Sequence, residues 1–309
     1  MADNKRIDAP TGTQTVGHEW DGIEELDTPM PRWWLLTLYA TIIFSIGYVV
    51  VYPALPGLTG ATKGVFSWSS RAEFRKEMQA ETNRKAPILT AIAATPIERL
   101  PGRPDLMQAA IQGGSAAFKA HCVQCHGSGA AGSPGYPNLN DDDWLWGGDL
   151  RSVEYTITYG ARNPDVKETR VSQMPAFGHD GILNPAQVED VVSHVRVISR
   201  QEKPSASSHR GAALFEANCS VCHGPEGKGM RALGAPNLTD GIWLYGGSRE
   251  ALTQTVTDSR KGVMPAWGHA LDKVTIKMLA AYVHSLGGGE ATPREPEPPA
   301  ATNAAAAAE

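Results

Sequence analysis

The chain has 309 residues, a formal net charge of −5 at pH 7, and charged side chains at 20% of its positions. This mildly acidic balance offers no basic surface for a phosphate backbone, so the composition argues against a nucleic-acid partner. Glycine and proline are abundant, with 32 and 22 residues, which is typical of short helices joined by shaped loops. The length is sufficient for two domains of ordinary size with extensions.

The first 52 residues divide into a polar segment and an apolar run. Residues 1–32 are polar and mostly acidic, and we interpret them as a solvated N-terminal segment. Residues 33–52 contain no charged side chain. As a helix rising ~1.5 Å per residue, they would reach ~30 Å, the thickness of a bilayer's hydrocarbon core. Trp33, Trp34 and Tyr52 lie at the two ends of the run, where aromatic side chains favour the membrane interface.

Two other interpretations of this run are a buried helix of a soluble domain and a cleaved signal peptide. A signal peptide has a shorter apolar region, and Pro53-Ala54-Leu55-Pro56 lacks the small residues of a cleavage site. A buried helix would not be expected to carry aromatic residues at both of its ends. The sequence therefore predicts one transmembrane helix that anchors the chain to a lipid bilayer.

Residues 53–104 form a connector between the predicted anchor and the first cysteine motif. Ser70-Arg71-Ala72-Glu73 fits a capping box, which predicts a helix from Ser70 to about Lys85. Phe74 and Met78 give this helix only a narrow apolar face. The pattern fits a solvated spacer and a helix that lies on a partner subunit equally well.

All four cysteines lie in two C-x-x-C-H motifs, at residues 122–126 and 219–223. This motif attaches c-type haem: two thiols add across the two vinyl groups of one porphyrin, and the histidine becomes the proximal iron ligand. A zinc knuckle and a thioredoxin-like redox pair use similar spacings. Two copies that consume every cysteine favour haem. The residues assigned to attachment are Cys122, Cys125, Cys219 and Cys222, with His126 and His223 as iron ligands.

The sequence around the two motifs is repeated. Gly114 and Phe118 correspond to Gly211 and Phe215, and W-L-W-G-G at 144–148 corresponds to W-L-Y-G-G at 243–247. M-P-A-F-G-H at 174–179 likewise corresponds to M-P-A-W-G-H at 264–269. The repeat predicts two consecutive domains, 105–203 and 204–289. Residues 290–309 are rich in Pro, Ala and Glu and are expected to form a disordered tail.

Each copy has the helices of a small cytochrome. In the first copy, a helix with Met107, Ile111 and Phe118 facing inward leads into the cysteines. The last helix of that copy is predicted to begin at Asn184-Pro185, with Gln187 completing a capping pattern. In the second copy the corresponding cap is Asp272. The apolar face of the last helix consists of Val188, Val191, Val192 and Val195 in the first copy. In the second copy it consists of Met278, Leu279, Tyr282, Val283 and Leu286.

An electron carrier needs a six-coordinate iron, so a second axial ligand must come from further along the chain. Met174 lies 48 residues after His126, and Met264 lies 41 residues after His223. The sequence therefore predicts the axial pairs His126/Met174 and His223/Met264. His179 and His269 are the competing ligands. Met230 lies too close to His223 in sequence to reach the opposite face of the haem, and Met278 is interpreted as a core residue. The remaining histidines are interpreted as packing or solvent-exposed residues: His121, His194, His209 and His284.

Two prolines are candidate partners of the proximal histidines. Pro137 and Pro236 lie eleven and thirteen residues beyond His126 and His223. In small c-type cytochromes a proline carbonyl at this distance accepts the ring N–H and fixes the imidazole. The alternative is that both prolines only shape a loop.

These motifs together resemble the di-haem cytochrome subunit (subunit III) of the cbb3-type cytochrome c oxidases, over roughly Pro29 to Gly287. The resemblance implies a mainly α fold: one transmembrane helix followed by two tandem class I-like cytochrome c domains with two covalently bound haem c groups. It implies electron transfer from a donor c-type cytochrome or a cytochrome bc1 complex. The electrons would pass to the mono-haem cytochrome subunit and the haem–copper catalytic subunit, with no oxygen chemistry on this chain.

The resemblance also implies a location in the bacterial inner membrane. Haem is attached on the outer side of that membrane, so residues 1–32 are expected to be cytoplasmic and both haem domains periplasmic. Two alternative functions are a membrane-tethered carrier with no fixed oxidase partner and a di-haem peroxidase. A peroxidase needs one accessible iron, whereas both copies provide a methionine.

Charge differs between the two sequence copies. Residues 105–200 carry seven Lys and Arg against eleven Asp and Glu, while residues 201–289 carry nine against seven. Complementary charge steers encounter between proteins. We therefore expect a basic donor cytochrome to approach the first copy near Asp141-Asp142-Asp143. The alternatives are that these aspartates form an ordinary solvated loop, or that the second copy receives the electrons.

Overall fold

The computed structural model describes residues 5–58 and 60–291. Its contacts divide the chain into two compact units, Met1–Arg84 and Lys85–Glu309. Regular structure is mainly helical, and the described strands form only two small two-stranded sheets.

The N-terminal unit begins with a β-hairpin that the sequence analysis did not predict. Strands β1 (Thr15–Trp20) and β2 (Ile23–Leu26) pair antiparallel. Asp21 and Gly22 connect them with φ of 52° and 84°, as a two-residue hairpin turn requires. An Asp-Gly pair between short β-prone stretches is the sequence signal for this turn. The expectation of a solvated segment at residues 1–32 did not include this hairpin.

Helix α1 (Arg32–Val51) matches the predicted membrane span to within one residue at each end. None of its residues is buried in the described structure. Its hydroxyl groups are satisfied within the helix: Thr37 donates to the Trp33 carbonyl at 2.9 Å and Ser45 to the Thr41 carbonyl at 2.7 Å. The helix is therefore apolar on all sides and long enough to cross a membrane.

The connector contains strands β3 (Pro56–Gly57) and β4 (Gly60–Ala61) and a helix that is longer than predicted. Helix α2 runs from Ser70 to Ala94, nine residues past the expected end at Lys85. Its cap is Ser69, whose hydroxyl accepts the Ala72 N–H at 3.2 Å. Pro87 lies inside the helix. A proline normally ends a helix, but here Ile88 and Ile92 pack on a hydrophobic core and hold the last turns in place.

The second unit contains eight further helices and two short 3-10 segments, all in the described residues. They are a 3-10 segment at Ile97–Gly102, α3 (Pro104–His121), α4 (Val123–His126), α5 (Leu150–Tyr159), α6 (Pro185–Ile198), α7 (Ala206–Asn218), α8 (Ser220–His223), a 3-10 segment at Arg231–Leu233, α9 (Arg249–Asp258) and α10 (Lys273–His284).

Two hydrophobic cores organise these helices, and each core mixes helices from both sequence copies. The first core combines α3 and α5 with α10, through fully buried residues such as Phe118, Leu150 and Leu279. The second core combines α7 and α9 with α6, through residues such as Phe215 and Val192. The last helix of each copy therefore packs on the other copy.

Glycines set the helix crossings in both cores. A Cβ atom on Gly114 of α3 would fall on the carbonyl oxygen of Met278 in α10. A Cβ on Gly211 of α7 would fall on the carbonyl oxygen of Asp190 in α6. The two helices of each pair approach so closely that only glycine fits between them.

The sequence analysis predicted two consecutive domains, 105–203 and 204–289, and the structure adds that the last helix of each packs on helices of the other. The repeat predicts which helices exist and which faces are apolar. It does not predict which of two equivalent last helices covers a given core, because both carry the same kind of stripe.

The predicted caps of the last helices are confirmed. Asn184 accepts the Gln187 N–H at 3.0 Å and Gln187 accepts the Asn184 N–H at 2.9 Å, which is a complete capping box. Asp272 accepts the N–H groups of Val274 and Thr275 at 2.9 and 3.0 Å. Both helices thus begin where local chemistry places them, whichever core they join.

Ion pairs attach α6 to the helices of the second copy. Asp190, only 7% exposed, accepts two hydrogen bonds from Arg210 of α7 at 2.8 and 2.7 Å. Arg249 of α9 bonds Glu189 of α6 at 2.9 Å and Glu202 of the following linker at 2.6 Å. These charge-assisted contacts complement the apolar packing of the second core.

The predicted tail begins later than expected. The Trp144 indole donates to the Gly288 carbonyl at 2.6 Å. The Glu290 carboxylate accepts the Gly148 N–H and an Arg231 N–H, both at 2.8 Å. The chain is therefore held against the W-L-W-G-G segment through Glu290, and most of the predicted tail, residues 292–309, lies outside the described residues.

Candidate haem-binding sites

One helical turn presents the two thiols and the imidazole of each motif. Helix α3 ends at His121, and the backbone turns at Cys122 into the short helix α4. The N–H groups of Cys125 and His126 both donate to the Cys122 carbonyl, at 3.2 and 2.9 Å. Residues spaced by three and four share a face of such a turn. The second copy repeats this geometry around Cys219, with corresponding distances of 3.1 and 2.9 Å.

The expected contact between histidine and proline is present in both copies. His126 Nδ1 lies 3.1 Å from the Pro137 carbonyl oxygen, and His223 Nδ1 lies 3.0 Å from that of Pro236. Nδ1 is therefore the protonated nitrogen. Nε2 has no hydrogen-bond partner among the described residues and is available to a metal.

Burial sets the protonation of these groups. It lowers the pKa of His126 and of His223, against the raising effect of each proline carbonyl, so both imidazoles are neutral ligands at pH 7. Burial, with a smaller effect of the neighbouring thiol, raises the pKa of Cys122 and of Cys219 to about 11. A thioredoxin-like pair needs a thiol with a lowered pKa. The described residues also contain no group of three or more potential metal-binding side chains, so a zinc knuckle has no ligand set there.

Each methionine lies in the core that holds the other copy's cysteines. Met264 packs against the first core together with Cys122, and its backbone exchanges two hydrogen bonds of 3.0 Å with Ala161. Met174 packs against the second core together with Cys219. The Ser259 hydroxyl donates to the Met174 carbonyl oxygen. The structure thus places Met264 in the core of Cys122 and Met174 in the core of Cys219, which is the opposite of the pairing predicted from sequence order.

The loops that contain Met174 and Met264 also pack against the other copy. The N–H groups of Trp267 and Gly268 donate to the carbonyls of Ile157 and Thr158 in α5, both at 3.0 Å. The N–H of His179 donates to the Thr257 carbonyl in α9, also at 3.0 Å. Each M-P-A-[FW]-G-H loop therefore lies against the C-terminal end of the other copy's helix.

The competing ligands are placed away from these sites. The side chains of His179 and His269 are exposed. Met278 packs on the first core beside Gly113, as the core interpretation predicts. Met230 is partly exposed and belongs to neither described core.

The residues present fit a haem c in each core. Two thiols and a neutral imidazole lie on one turn, and a thioether lies in the same apolar cluster. The described structure also contains one buried side-chain nitrogen without a partner, Arg170 Nε, next to the first core. Sequence reasoning did not single out Arg170. The position of Arg170 in the repeat could have identified it, because Arg170 and Arg260 each lie four residues before a methionine of the repeat.

Three family profiles match consecutive parts of the chain. Residues 12–59 match the N-terminal domain of cytochrome oxidase-cbb3, FixP; residues 111–199 match cytochrome c; and residues 206–283 match cytochrome c oxidase, cbb3-type, subunit III. The CcoP subunit of the cbb3-type oxidase of Cereibacter sphaeroides is 51% identical over 281 residues, which cover 91% of this chain and 97% of that protein. The chain belongs to the CcoP/FixP family of cbb3-type cytochrome c oxidase subunits.

Two FixP subunits show the same extent of similarity. Those of Bradyrhizobium sp. and Rhizobium meliloti are 48% and 47% identical, and the alignments cover 94% of this chain and 100% of each relative. Family membership confirms the resemblance drawn from the motifs and the fold class. The chain is a membrane-anchored c-type cytochrome with covalently bound haem, and it serves electron transfer in a cbb3-type oxidase.

Proposed function

We propose that the chain carries two haem c groups and relays electrons from a donor c-type cytochrome, or a cytochrome bc1 complex, into the oxidase. The receiving partners are the mono-haem cytochrome subunit and the haem–copper catalytic subunit. The observation that carries this proposal is the duplication of one complete ligand set, with a thiol-bearing turn, a proline-bonded imidazole and a half-buried methionine at each core.

The proposed attachment residues are Cys122 and Cys125 in the first core and Cys219 and Cys222 in the second. The proposed axial pairs are His126 with Met264 and His223 with Met174. A haem c held by these residues would supply one-electron transfer. The chain's own residues set the conditions: Pro137 and Pro236 hold the imidazoles, and thioether ligation raises the reduction potential relative to a second histidine.

We propose that α1 lies in the bacterial inner membrane with residues 1–32 in the cytoplasm and both haem cores in the periplasm. A helix of 20 residues, whose one charged side chain is Arg32 at its first position, supports the span. Because cytochrome c haem is attached on the periplasmic side, both motifs must lie beyond the membrane. This requires the N-terminal hairpin to stay inside.

The number of haem groups is tested by mass. The intact, denatured chain should exceed its sequence mass of 33.0 kDa by two haem groups. Replacing Cys219 and Cys222 together by alanine should reduce the excess to one haem. An excess of one haem in the unmodified chain would contradict the proposal.

Copurification tests the assignment to the oxidase. Affinity purification of the full-length chain from solubilised membranes should recover a haem–copper subunit and a mono-haem cytochrome. Recovery of the haem-loaded chain without either protein would favour a tethered carrier with no fixed partner. A peroxidase is disfavoured because a half-buried methionine packs against each core and can act as an iron ligand.

A further inference from the structure

The guanidinium of Arg170 is partly desolvated, and its N–H groups are only partly hydrogen-bonded. Its Cζ lies 4.5 Å from the centre of the Tyr155 ring and 5.6 Å from that of Trp146. Its Nη2 makes a long hydrogen bond of 3.5 Å to the Ser152 carbonyl oxygen, and its Nε is buried without a partner among the described residues. Asp149 acts on it electrostatically, but none of the described carboxylates forms an ion pair with it. A half-buried guanidinium with one buried, unpaired N–H is stabilised when an anion is placed against it.

Backbone contacts place Arg170 beside the first core. The Arg170 N–H donates to the Gly160 carbonyl at 3.1 Å, and its own carbonyl accepts the Arg162 N–H at 2.8 Å. Ala161, between those two residues, pairs on its other side with Met264. Arg170 is therefore separated by one short segment from the methionine that packs on the core of Cys122. The Tyr155 ring and the Ser152 carbonyl that contact its side chain belong to α5, a helix of the same core.

The equivalent arginine of the second copy has a different environment. Arg260 lies over Tyr245, which corresponds to Trp146, with its Cζ 4.8 Å from the ring centre. Its Nε donates to Thr255 Oγ1 at 2.9 Å and its Nη2 to the Ala251 carbonyl at 2.7 Å. Its Nη1 donates to Gln254 at 3.2 Å. Protein atoms thus accept hydrogen bonds from the N–H groups of Arg260.

One substitution between the copies contributes to this difference. Gln254 of α9 corresponds to Tyr155 of α5. The amide oxygen of glutamine accepts a hydrogen bond from the arginine, whereas the tyrosine ring offers only its face. Arg170 is therefore held between two aromatic rings with its N–H groups available, which is a preorganised site for a planar anion.

We propose that Arg170 binds a propionate carboxylate of the haem attached at Cys122 and Cys125, and that Arg260 makes no equivalent contact in the other core. This inference rests on the proposed function, because it requires haem in the first core. A guanidinium fork matches a carboxylate in two parallel hydrogen bonds. The positive charge keeps the propionate ionised and favours the reduced iron. The contact therefore raises the reduction potential of the His126 haem selectively.

The test is a spectroelectrochemical titration of the full-length, haem-loaded protein in detergent, with R170Q, R170K and R260Q. Each variant is also made together with M174H, which takes the sulfur ligand from the His223 haem and so identifies the other one. In R170Q we expect the oxidised-to-reduced ratio of the His126 haem at fixed potential to rise about tenfold, a shift of about 59 mV for one electron. Its potential should also become dependent on pH near neutrality, as the propionate takes up a proton.

R170K should retain most of the potential, because the charge remains. R260Q should introduce no pH dependence at either haem. An unchanged potential in R170Q would overturn the inference. It would also be overturned if R170Q and R170K lost the sulfur-to-iron absorption band equally, since Arg170 would then only hold the strand of Met264. A mass showing no haem at Cys122 and Cys125 in the unmodified protein would instead overturn the proposed function.

Discussion

At the scale of single residues, the two histidines illustrate how local chemistry determines a site. Cys122, Cys125 and His126 lie on one turn, and Pro137 is only eleven residues away. A short loop suffices to bring its carbonyl to 3.1 Å from the imidazole. Such contacts depend on neighbours in sequence. The proposed axial ligand of this site, Met264, comes by contrast from the other copy of the repeat.

The exchanged axial pairs give a direct prediction. In a chain whose second site lacks haem, because Cys219 and Cys222 are replaced by alanine, M264H should abolish the remaining sulfur-to-iron absorption band. M174H should leave that band in place, because Met174 lies in the second core. Optical spectra of the two oxidised variants distinguish the two pairings. Loss of the band in M174H, with the band retained in M264H, would instead support the pairing by sequence order.

Asp143 provides a prediction about pH. Burial, with repulsion from Asp240, Asp141 and Asp142, raises its pKa from 3.8 to about 6. The folded chain therefore binds this proton more tightly than the unfolded chain, so the contribution of Asp143 to stability falls as pH rises from about 4 to about 6. D143N should flatten the decline in melting temperature over that range, measured by thermal unfolding of the haem-loaded protein. D165N is the control, because Asp165 is exposed and is not among the charges that raise the pKa of Asp143. An unaltered pH profile in D143N would contradict the assignment.

At the scale of secondary-structure elements, the exchange of the last helices between the two copies depends on how closely the helices cross. The backbones of α3 and α10 touch at Gly114, and those of α7 and α6 at Gly211. Close packing in a protein interior leaves little room for an added methyl group. The crossings are therefore sensitive to substitutions that a solvent-exposed helix would accept.

We predict that G114A destabilises the first core by about 1–3 kcal/mol, the usual cost of overpacking. The new methyl group would meet the backbone of Met278, which can move only if α10 moves. G113A is the matched control, because its methyl group would meet the Met278 sulfur, at the flexible part of a side chain. Denaturant unfolding compares the two variants. If G114A proved as stable as G113A, α10 would not pack on α3 as described.

Particular elements show how far the sequence determined the fold. The membrane helix, both cysteine turns and the caps at Asn184 and Asp272 follow from local patterns, and the structure has them where they were expected. Helix α2 was predicted too short because its last turns depend on packing of Ile88 and Ile92 rather than on propensity. The exchange of α6 and α10 could not be predicted, because the two helices offer equivalent apolar faces to equivalent cores.

At the scale of the whole second unit, the interleaving changes the meaning of the charge difference between the two copies. A count over residues 105–200 no longer describes one spatial half. Asp142 and Asp143 share a groove with Lys228, Arg231 and Asp240 of the other copy. A basic donor would therefore meet a surface of mixed charge at this place, and of the three consecutive aspartates only Asp142 is fully exposed. Electrostatic steering of a donor cytochrome by Asp141-Asp142-Asp143 remains a prediction, and Asp142 is the residue expected to contribute most to it.

Interleaving also predicts how the unit responds to a cut in its linker. Lys203 and Pro204 are exposed and lie between α6 and α7. Two closed consecutive domains would be joined covalently only here, whereas exchanged cores are also joined by α3 with α10 and by α6 with α7. A protease site inserted between Lys203 and Pro204 should give, after cleavage, two pieces that coelute in size-exclusion chromatography.

The same cleaved protein should keep both sulfur-to-iron bands, because each methionine remains in the other piece's core. Separation of the pieces should require denaturant, since it breaks both hydrophobic cores and the ion pairs of Arg249 and Arg210. Cleavage followed by denaturation is the positive control for separation. Two pieces that elute apart in native buffer, each with its own band, would show that the copies are closed domains in solution.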